Sequence, residues 1–289
     1  VHQAAEHGKK FRIKDKKWLS DRVFSMWVEA PPIAASFRPG QFVVVRAENE
    51  GLQIPLCVAE VDKERTQIRL LVPVAGYSAR LLSLVRSSEQ LADITGPVGR
   101  PLAVEKHEHP VLGVAEEVGA AFLLPHLIAQ REAGNRVSVI LGASTLKQLV
   151  LVDELQKVAH DLHLSTDEGV FVRKGPVTDV LIELLNKGFK PAMIFAVGPP
   201  AMMKLTSEIA ARRGIPVTTS INPVLVDGAG TCGGCRISVG GKTCYACVDG
   251  PDFDGTKVDW EDLMARVDKY RPQDAFLWDQ ACKIIHAGG

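Results

Sequence analysis

The 289-residue sequence has no excess of either charge: 34 lysines and arginines face 34 aspartates and glutamates, for a formal net charge of zero. A surface without a basic field offers nothing that attracts nucleic acid or an anionic membrane at long range. No apolar run reaches the roughly 20 residues of a membrane-spanning helix. The opening residues, VHQAAEHGKK, are polar rather than signal-like. Internal repeats and low-complexity stretches are absent as well. Cysteine is sparse, six in all, and four of the six are clustered at metal spacing, a pattern that fits a reducing compartment better than a disulfide scaffold. A cytoplasmic location is therefore expected. At 46% hydrophobic and 24% charged residues, the chain has the composition of a globular protein and the length for two or three domains.

The most informative stretch is 227–247, DGAGTCGGCRISVGGKTCYAC. Cys232 and Cys235 form one C-x-x-C, Cys244 and Cys247 another. RISVGGKT between them alternates like a hairpin with Gly240-Gly241 at its turn. Two ligand sets can be drawn. Four thiols would make a closed, structural zinc clip. Alternatively, Asp227-x4-Cys232-x2-Cys235 with Cys247 further on has the spacing of a plant-type 2Fe-2S site, with aspartate in the first place. The glycines of GAGTCGG let backbone N–H groups approach sulfur closely, which a cluster needs and a zinc clip does not.

Upstream, FRIKDKKWL, VFSMWVEA, QFVVVRA, QIPLCVAEV and QIRLLVPV read as short strands separated by turn signals, suggesting a small antiparallel barrel of five or six strands. SARLLSLV reads as a short helix and TGPVGRP as a loop. After His107 strands and helices alternate: PVLGVA, AAFLLPHLIAQREAG, RVSVILGA, LVLVDELQKVA, a strand around GVFVRKG, PVTDVLIELLNKG, PAMIFAVGP, PAMMKLTSEIAARRG and IPVTTSI. That order describes a doubly wound parallel sheet. A helix around EDLMARVDKY is expected in the tail.

NPVLVDGAGTCGGCRISVGG and YACVDGPDFDGTKVDW resemble the C-terminal part of the alpha subunit of NADH-dependent ferredoxin:NADP oxidoreductase, also called the sulfide dehydrogenase beta subunit. They are more distantly similar to the electron-transfer subunit of dihydroorotate dehydrogenase, within the ferredoxin-NADP reductase superfamily. The resemblance covers nearly the whole chain. It implies an FAD-binding β-barrel at 1–104, an NAD(P)-binding-like α/β unit at 105–221, and a 2Fe-2S segment with its tail at 222–289. It also implies the ligand set Asp227, Cys232, Cys235 and Cys247, leaving Cys244 as a neighbour. The family's R-I-P-L-T flavin motif stands here as Gln53-Ile54-Pro55-Leu56-Cys57, so the pyrophosphate arginine is a neutral amide. Gly76-Tyr77-Ser78-Ala79-Arg80 resembles the family's second flavin element, a helix start whose N–H groups and Ser78 hydroxyl hold phosphate, with Arg80 nearby to supply charge.

The dinucleotide element departs further. Where the family carries G-G-G-V-G, this chain reads Gly113-Val114-Ala115-Glu116-Glu117-Val118-Gly119, and Ser144 stands where relatives place an arginine. Gly198-Pro199-Pro200 is kept. A like-charge contact near 4 Å costs roughly 4 kcal/mol at an effective dielectric of about 20. Glu116 and Glu117 thus either close the dinucleotide site or point to solvent and leave it intact.

Three functions follow. The first is an electron-transfer subunit that carries FAD and a 2Fe-2S cluster and passes electrons to a larger flavin and iron-sulfur partner in a hetero-oligomer. The second is an active NAD(P)H-oxidising subunit, and the third a non-catalytic zinc-bound assembly subunit. His107, His109, His126, His160 and His163 are expected to be scattered surface residues. The acidic run from Asp249 to Gly255 is expected to be a structural turn behind the metal site.

Overall fold

The computed structural model describes residues 11–21, 23–48, 53–74, 76–221 and 228–269. The first half folds as β1 (Phe11–Trp18), β2 (Val23–Glu29), α1 (Pro31–Ser36), β3 (Phe42–Arg46), β4 (Gln53–Val61), β5 (Gln67–Pro73), α2 (Gly76–Leu84), β6 (Gln90–Leu91) and β7 (Asp93–Val98). These strands form one antiparallel sheet in the order β6-β1-β2-β5-β4-β3-β7. Its two edge strands are separated in sequence by Ala92 alone. A one-residue link between opposite edges obliges the sheet to curl until they meet, which makes it a barrel. Alternation sends Val43, Val45, Leu56, Val58, Ile68 and Leu70 inward. Seven strands are present rather than five or six, because the expected loop at TGPV is part of β7. Its Gly-Pro pair reads as a turn, yet β7 is an edge strand, where a missing N–H removes no ladder bond.

The second half contains β8 (Val111–Glu116), α3 (Gly119–Glu132), β9 (Val137–Ala143), α4 (Val152–Val158), β10 (Asp161–Thr166), β11 (Arg173–Lys174), α5 (Val177–Asn186), β12 (Met193–Val197), α6 (Pro200–Arg212) and β13 (Val217–Ser220). After these come β14 (Arg236–Val239), β15 (Lys242–Tyr245), α7 (Ala246–Asp249), β16 (Asp252–Asp254) and a helical run, α8, at 260–269. The second sheet has the order β11-β10-β9-β8-β12-β13-β16, parallel except for β16. One expected strand is displaced. The third parallel strand is Asp161–Thr166, while the apolar segment 169–175 contributes only Arg173–Lys174. Phe171 there is 95% exposed with φ +62, a left-handed conformation that no strand accommodates.

The chain leaves β8 first to one side, towards β9 and β10, and later to the other, towards β12. The carboxyl ends of β8 and β12 therefore diverge, and such a switch point opens a crevice. Gly119 begins α3 beside it. A Cβ on Gly119 would lie 2.2 Å from the Val197 carbonyl oxygen, so α3 can pack this close to β12 only without a side chain.

β14 and β15 form the expected hairpin, with Gly240 and Gly241 at φ +58 and +74, as a type I′ turn requires. β16 then extends the parallel sheet beyond β13, which seats the cysteine segment against its edge.

Gly119→Ala forces α3 off the Val197 carbonyl. We expect a loss of about 1–3 kcal/mol, seen as a lowered thermal unfolding midpoint. An unchanged midpoint would show that α3 can slide freely on β12.

Candidate cofactor sites

Cys235 and Cys247 are 0% and 2% exposed, and their sulfurs stand 3.1 Å apart, beyond the ~2.05 Å of a disulfide. Two sulfurs bonded at about 2.3 Å to one tetrahedral ion lie about 3.8 Å apart, so a small opening lets this pair share a metal. Both sit in the apolar cluster with Ile237, Val258 and Trp260. Cys232 is exposed, and its sulfur accepts the Gly234 N–H at 3.4 Å. Cys244, opposite Ile237 in the hairpin, is half-buried against the same cluster. Among the described residues no three potential ligands converge on one point. The structure thus brings Cys235 and Cys247 together and leaves Cys232 at the rim, while Asp227 lies outside the described residues. So does Cys282.

Gln53, Pro55 and Cys57 alternate with inward Ile54 and Leu56, and so face out of the barrel. Cys57 is 3% exposed, and its thiol donates to the Ala121 carbonyl of α3 at 3.2 Å. Burial, with the Asp252 carboxylate adding to it, pushes this thiol far up, so it stays protonated. Its hydrogen is directed at α3. At the end of β5 the chain turns into α2, whose first-turn N–H groups lack helical acceptors. Ser78 and Arg80 lie in its first turns, half-buried, with no side-chain hydrogen bond among the described residues.

At the switch point, Gly113 faces α3: a Cβ there would meet Leu123 at 2.8 Å and Leu127 at 3.1 Å. Its lack of a side chain serves helix packing. Gly198 is covered on one side by Met202 and on the other by Glu116, 2.6 and 3.4 Å from where its Cβ would stand. Glu116 also reaches over Gly142 of β9, so its side chain lies within the crevice. Burial, then Asp167 and then Glu117, raise the Glu116 carboxyl above its ordinary pKa. Glu117 adopts φ +47, a left-handed conformation that glycine takes more readily, and its N–H is bonded to the Gly142 carbonyl at 2.8 Å.

Residues 222–259 match the family model described as the iron-sulfur cluster binding domain of dihydroorotate dehydrogenase B. Over 271 residues the chain is 40% identical to the dihydroorotate dehydrogenase B (NAD(+)) electron transfer subunit homolog of Thermotoga maritima, covering 94% of this chain and 95% of that protein. The chain belongs to this electron transfer subunit family. A probable electron transfer subunit of Methanopyrus kandleri is 30% identical, over 75% of this chain and 79% of its own. Among solved structures, one of an NADH-dependent reduced ferredoxin-NADP oxidoreductase, described for flavin-based electron bifurcation, is 38% identical with a TM-score of 0.87, covering 95% of this chain and 99% of that one. A ferredoxin NADP+ reductase from Neisseria gonorrhoeae, at 15% identity and TM-score 0.58 over 71% of this chain and 91% of its own, shares the fold alone. The protein is accordingly an oxidoreductase subunit. The match over 222–259 favours the iron-sulfur reading of the cysteines over the zinc clip. No helix among the described residues is long and apolar enough to cross a membrane.

One expectation about this family member is corrected. His126 is not a surface histidine but 3% exposed, in α3. Its Nδ1 lies 2.8 Å from the Phe122 carbonyl oxygen and its Nε2 2.7 Å from Asp252 Oδ2. Both partners only accept, so satisfying both requires N–H on both nitrogens, which is the imidazolium. Burial alone would lower the His126 pKa, but Asp252 and the Phe122 carbonyl outweigh it and raise the value. Sequence spacing could not reveal a pair 126 residues apart.

A histidine with a raised native pKa contributes stability that is full below its unfolded value, about 6.5, and is lost as pH rises through the native value. The unfolding midpoint should fall over that window. In His126→Leu this dependence should vanish, with a loss of about 3 kcal/mol at pH 6, because Asp252 is left buried and unpaired. Parallel midpoint-versus-pH curves for the two proteins would contradict the pairing.

Proposed function

We propose that the chain holds FAD on the outer face of β4, beside the start of α2, and a 2Fe-2S cluster on Asp227, Cys232, Cys235 and Cys247. It relays electrons between them and a larger flavin and iron-sulfur subunit in a cytoplasmic hetero-oligomer. The observation that carries this reading is the pair of buried thiols, 3.1 Å apart, inside the segment matched by the iron-sulfur domain model. The barrel at 1–104, the parallel sheet at 105–221 and the segment from 222 onward take the flavin, dinucleotide-like and cluster roles respectively.

Residues present fit both groups. Soft sulfur ligands and glycines with positive φ at 228, 230 and 233 suit an iron-sulfur cluster. Arg80, Ser78 and the α2 N-terminus suit a pyrophosphate. When bound, the flavin and the cluster supply the electron-carrying chemistry. The protein's part is to orient them and exclude water. Ile237, Val258 and Trp260 keep Cys235 and Cys247 dry, and the thiol of Cys57 is held against α3 in its protonated form.

The switch-point crevice is read as closed to nicotinamide dinucleotide. Glu116 occupies it, and Asp167 and Glu117 surround Glu116 with like charge. A pyrophosphate entering there would meet three carboxylates on two segments, Glu116 and Glu117 at the end of β8 and Asp167 after β10, beside a helix whose closest-approach glycine, Gly119, is already packed on Val197.

An anaerobic visible spectrum with iron and flavin assays is the test. Flavin and iron-sulfur absorbance that dithionite bleaches and neither NADH nor NADPH does is expected. The double variant Glu116→Gly with Glu117→Gly should gain at least tenfold in NADH affinity, about 1.4 kcal/mol. Rapid bleaching of the wild-type protein by either nucleotide would reopen the crevice and restore NAD(P)H oxidation as the activity. A colourless, zinc-loaded protein would sink the redox reading altogether.

A further inference from the structure

In the β3–β4 ladder Arg46 stands directly opposite Gln53, and on its other side opposite Asp93 of β7. Residues opposed in an antiparallel ladder share a face. Val43 and Val45 point into the barrel with Leu56 and Val58, so Arg46 and Gln53 both point out, on the face that presents Pro55 and Cys57. β4 runs further than its neighbour here. Cys57 pairs with Leu71, and β5 ends at Pro73, so Gln53 lies beyond the last paired residue. α2 starts at Gly76 in that gap and packs on β4. The start of α2, Gln53 and Arg46 therefore lie at the same end of the sheet.

Arg46 is unusual in what it lacks. None of its five N–H donors makes a hydrogen bond among the described residues. Its Nε is buried without a partner. The nearest carboxylate oxygen, Asp93 Oδ2, is 3.8 Å from Nη2 and already accepts from Thr95 Oγ1 at 3.2 Å. A guanidinium on a strand, with a buried unmet donor and its side chain about a third exposed overall, is arranged for an external anion. Two parallel N–H groups match phosphate oxygens. Gln53 can donate to such an anion but cannot neutralise it.

We propose that Arg46 is the cation that neutralises the pyrophosphate of the bound flavin dinucleotide, in place of its ladder neighbour Gln53. This rests on the flavin reading above. It adds a ligand residue on a different strand from the motif that names the site. It also makes the site selective for the phosphorylated form of the cofactor, because the isoalloxazine and ribityl parts carry no charge for Arg46 to meet.

The test is equilibrium titration of the full-length protein, stripped of flavin, with FAD and separately with riboflavin, followed by flavin fluorescence. Charge-assisted hydrogen bonds predict that Arg46→Gln weakens FAD roughly 10- to 100-fold and leaves riboflavin within about twofold. Adding Gln53→Arg to that variant returns the charge across the same ladder and should recover at least tenfold in FAD affinity, which a merely structural role for Arg46 would not permit. Should Arg46→Gln fail to fold, Arg46→Lys keeps the charge but loses the two-pronged geometry and should weaken FAD severalfold with riboflavin unchanged. Equal losses for FAD and riboflavin, FAD affinity unaltered in either single variant, or no rescue by Gln53→Arg would each overturn the assignment while leaving the flavin site standing. A wild-type protein that binds no FAD would instead overturn the flavin reading, and this assignment with it.

Discussion

Phe42 and Val44 leave the barrel wall on its outer side and sink into the apolar cluster that also holds Cys235, Ile237, Cys247, Trp260 and the β12–β13 half of the parallel sheet. At 4% and 2% exposure, each contributes about 1.5–3 kcal/mol, yet the geometric consequence is the larger one. The pleat that sends these two residues outward sends Arg46 outward too, and its partner strand turns out Gln53, Pro55 and Cys57. A single alternation thus sets both the seat of the cysteine segment and the residues of the outer face beside it. A one-residue slip of β3 would invert both at once, because strand side chains have period two.

Charged and polar ties fix the register that apolar contacts leave loose. Residues 249–254 are held by three contacts from two residues. The backbone N–H of Arg100 donates to the Gly250 carbonyl at 2.6 Å, the Arg100 guanidinium meets Asp249 at 3.1 Å, and His126 of α3 meets Asp252. The exposed Arg100 pair adds little energy. The buried His126–Asp252 pair is costly to desolvate and comparable in net worth to well-packed apolar residues. What it supplies is position: one carboxylate oxygen for the Nε2–H of His126, which sets where β16 lies along α3 and therefore where the hairpin flanked by Cys235 and Cys247 stands against β3.

Most of the fold was legible in the sequence because most elements carry the period that their burial demands. Both sheets, the hairpin with Gly240-Gly241 at its turn and the helix over 260–269 follow from alternation, helical spacing and turn chemistry. The failures have local causes. Gly96-Pro97 signals a turn, but an edge strand tolerates it, so β7 was hidden. Val170-Phe171-Val172 has strand composition but projects into solvent, and the polar-apolar alternation of Asp161–Thr166 supplied the strand instead. Candidate residues were legible where thiols are close in sequence, as in the two C-x-x-C pairs, of which the structure brings Cys235 and Cys247 together. They were not legible where partners meet through the fold. The opposition of Arg46 to Gln53 needs the strand register, and the burial of His126 needs β16 placed against α3.

Residues that break a local rule concentrate at the switch point. Glu117 takes a left-handed φ that glycine adopts without strain, and Glu116 keeps a carboxylate where burial and two neighbouring carboxylates oppose its ionisation. Neither choice helps folding, and a chain selected for stability alone would lose both. At the same time the packing features of a dinucleotide fold persist next to them: Gly119 against Val197, and Gly198 beneath Met202. Strain retained in an otherwise intact framework points to a role in what the crevice admits. Carboxylates placed there repel a phosphate and leave the neighbouring barrel face untouched. On the outer face of β3, by contrast, Arg46 holds a buried donor without a partner among the described residues, so the charge pattern that turns an anion away from the crevice favours the barrel wall instead.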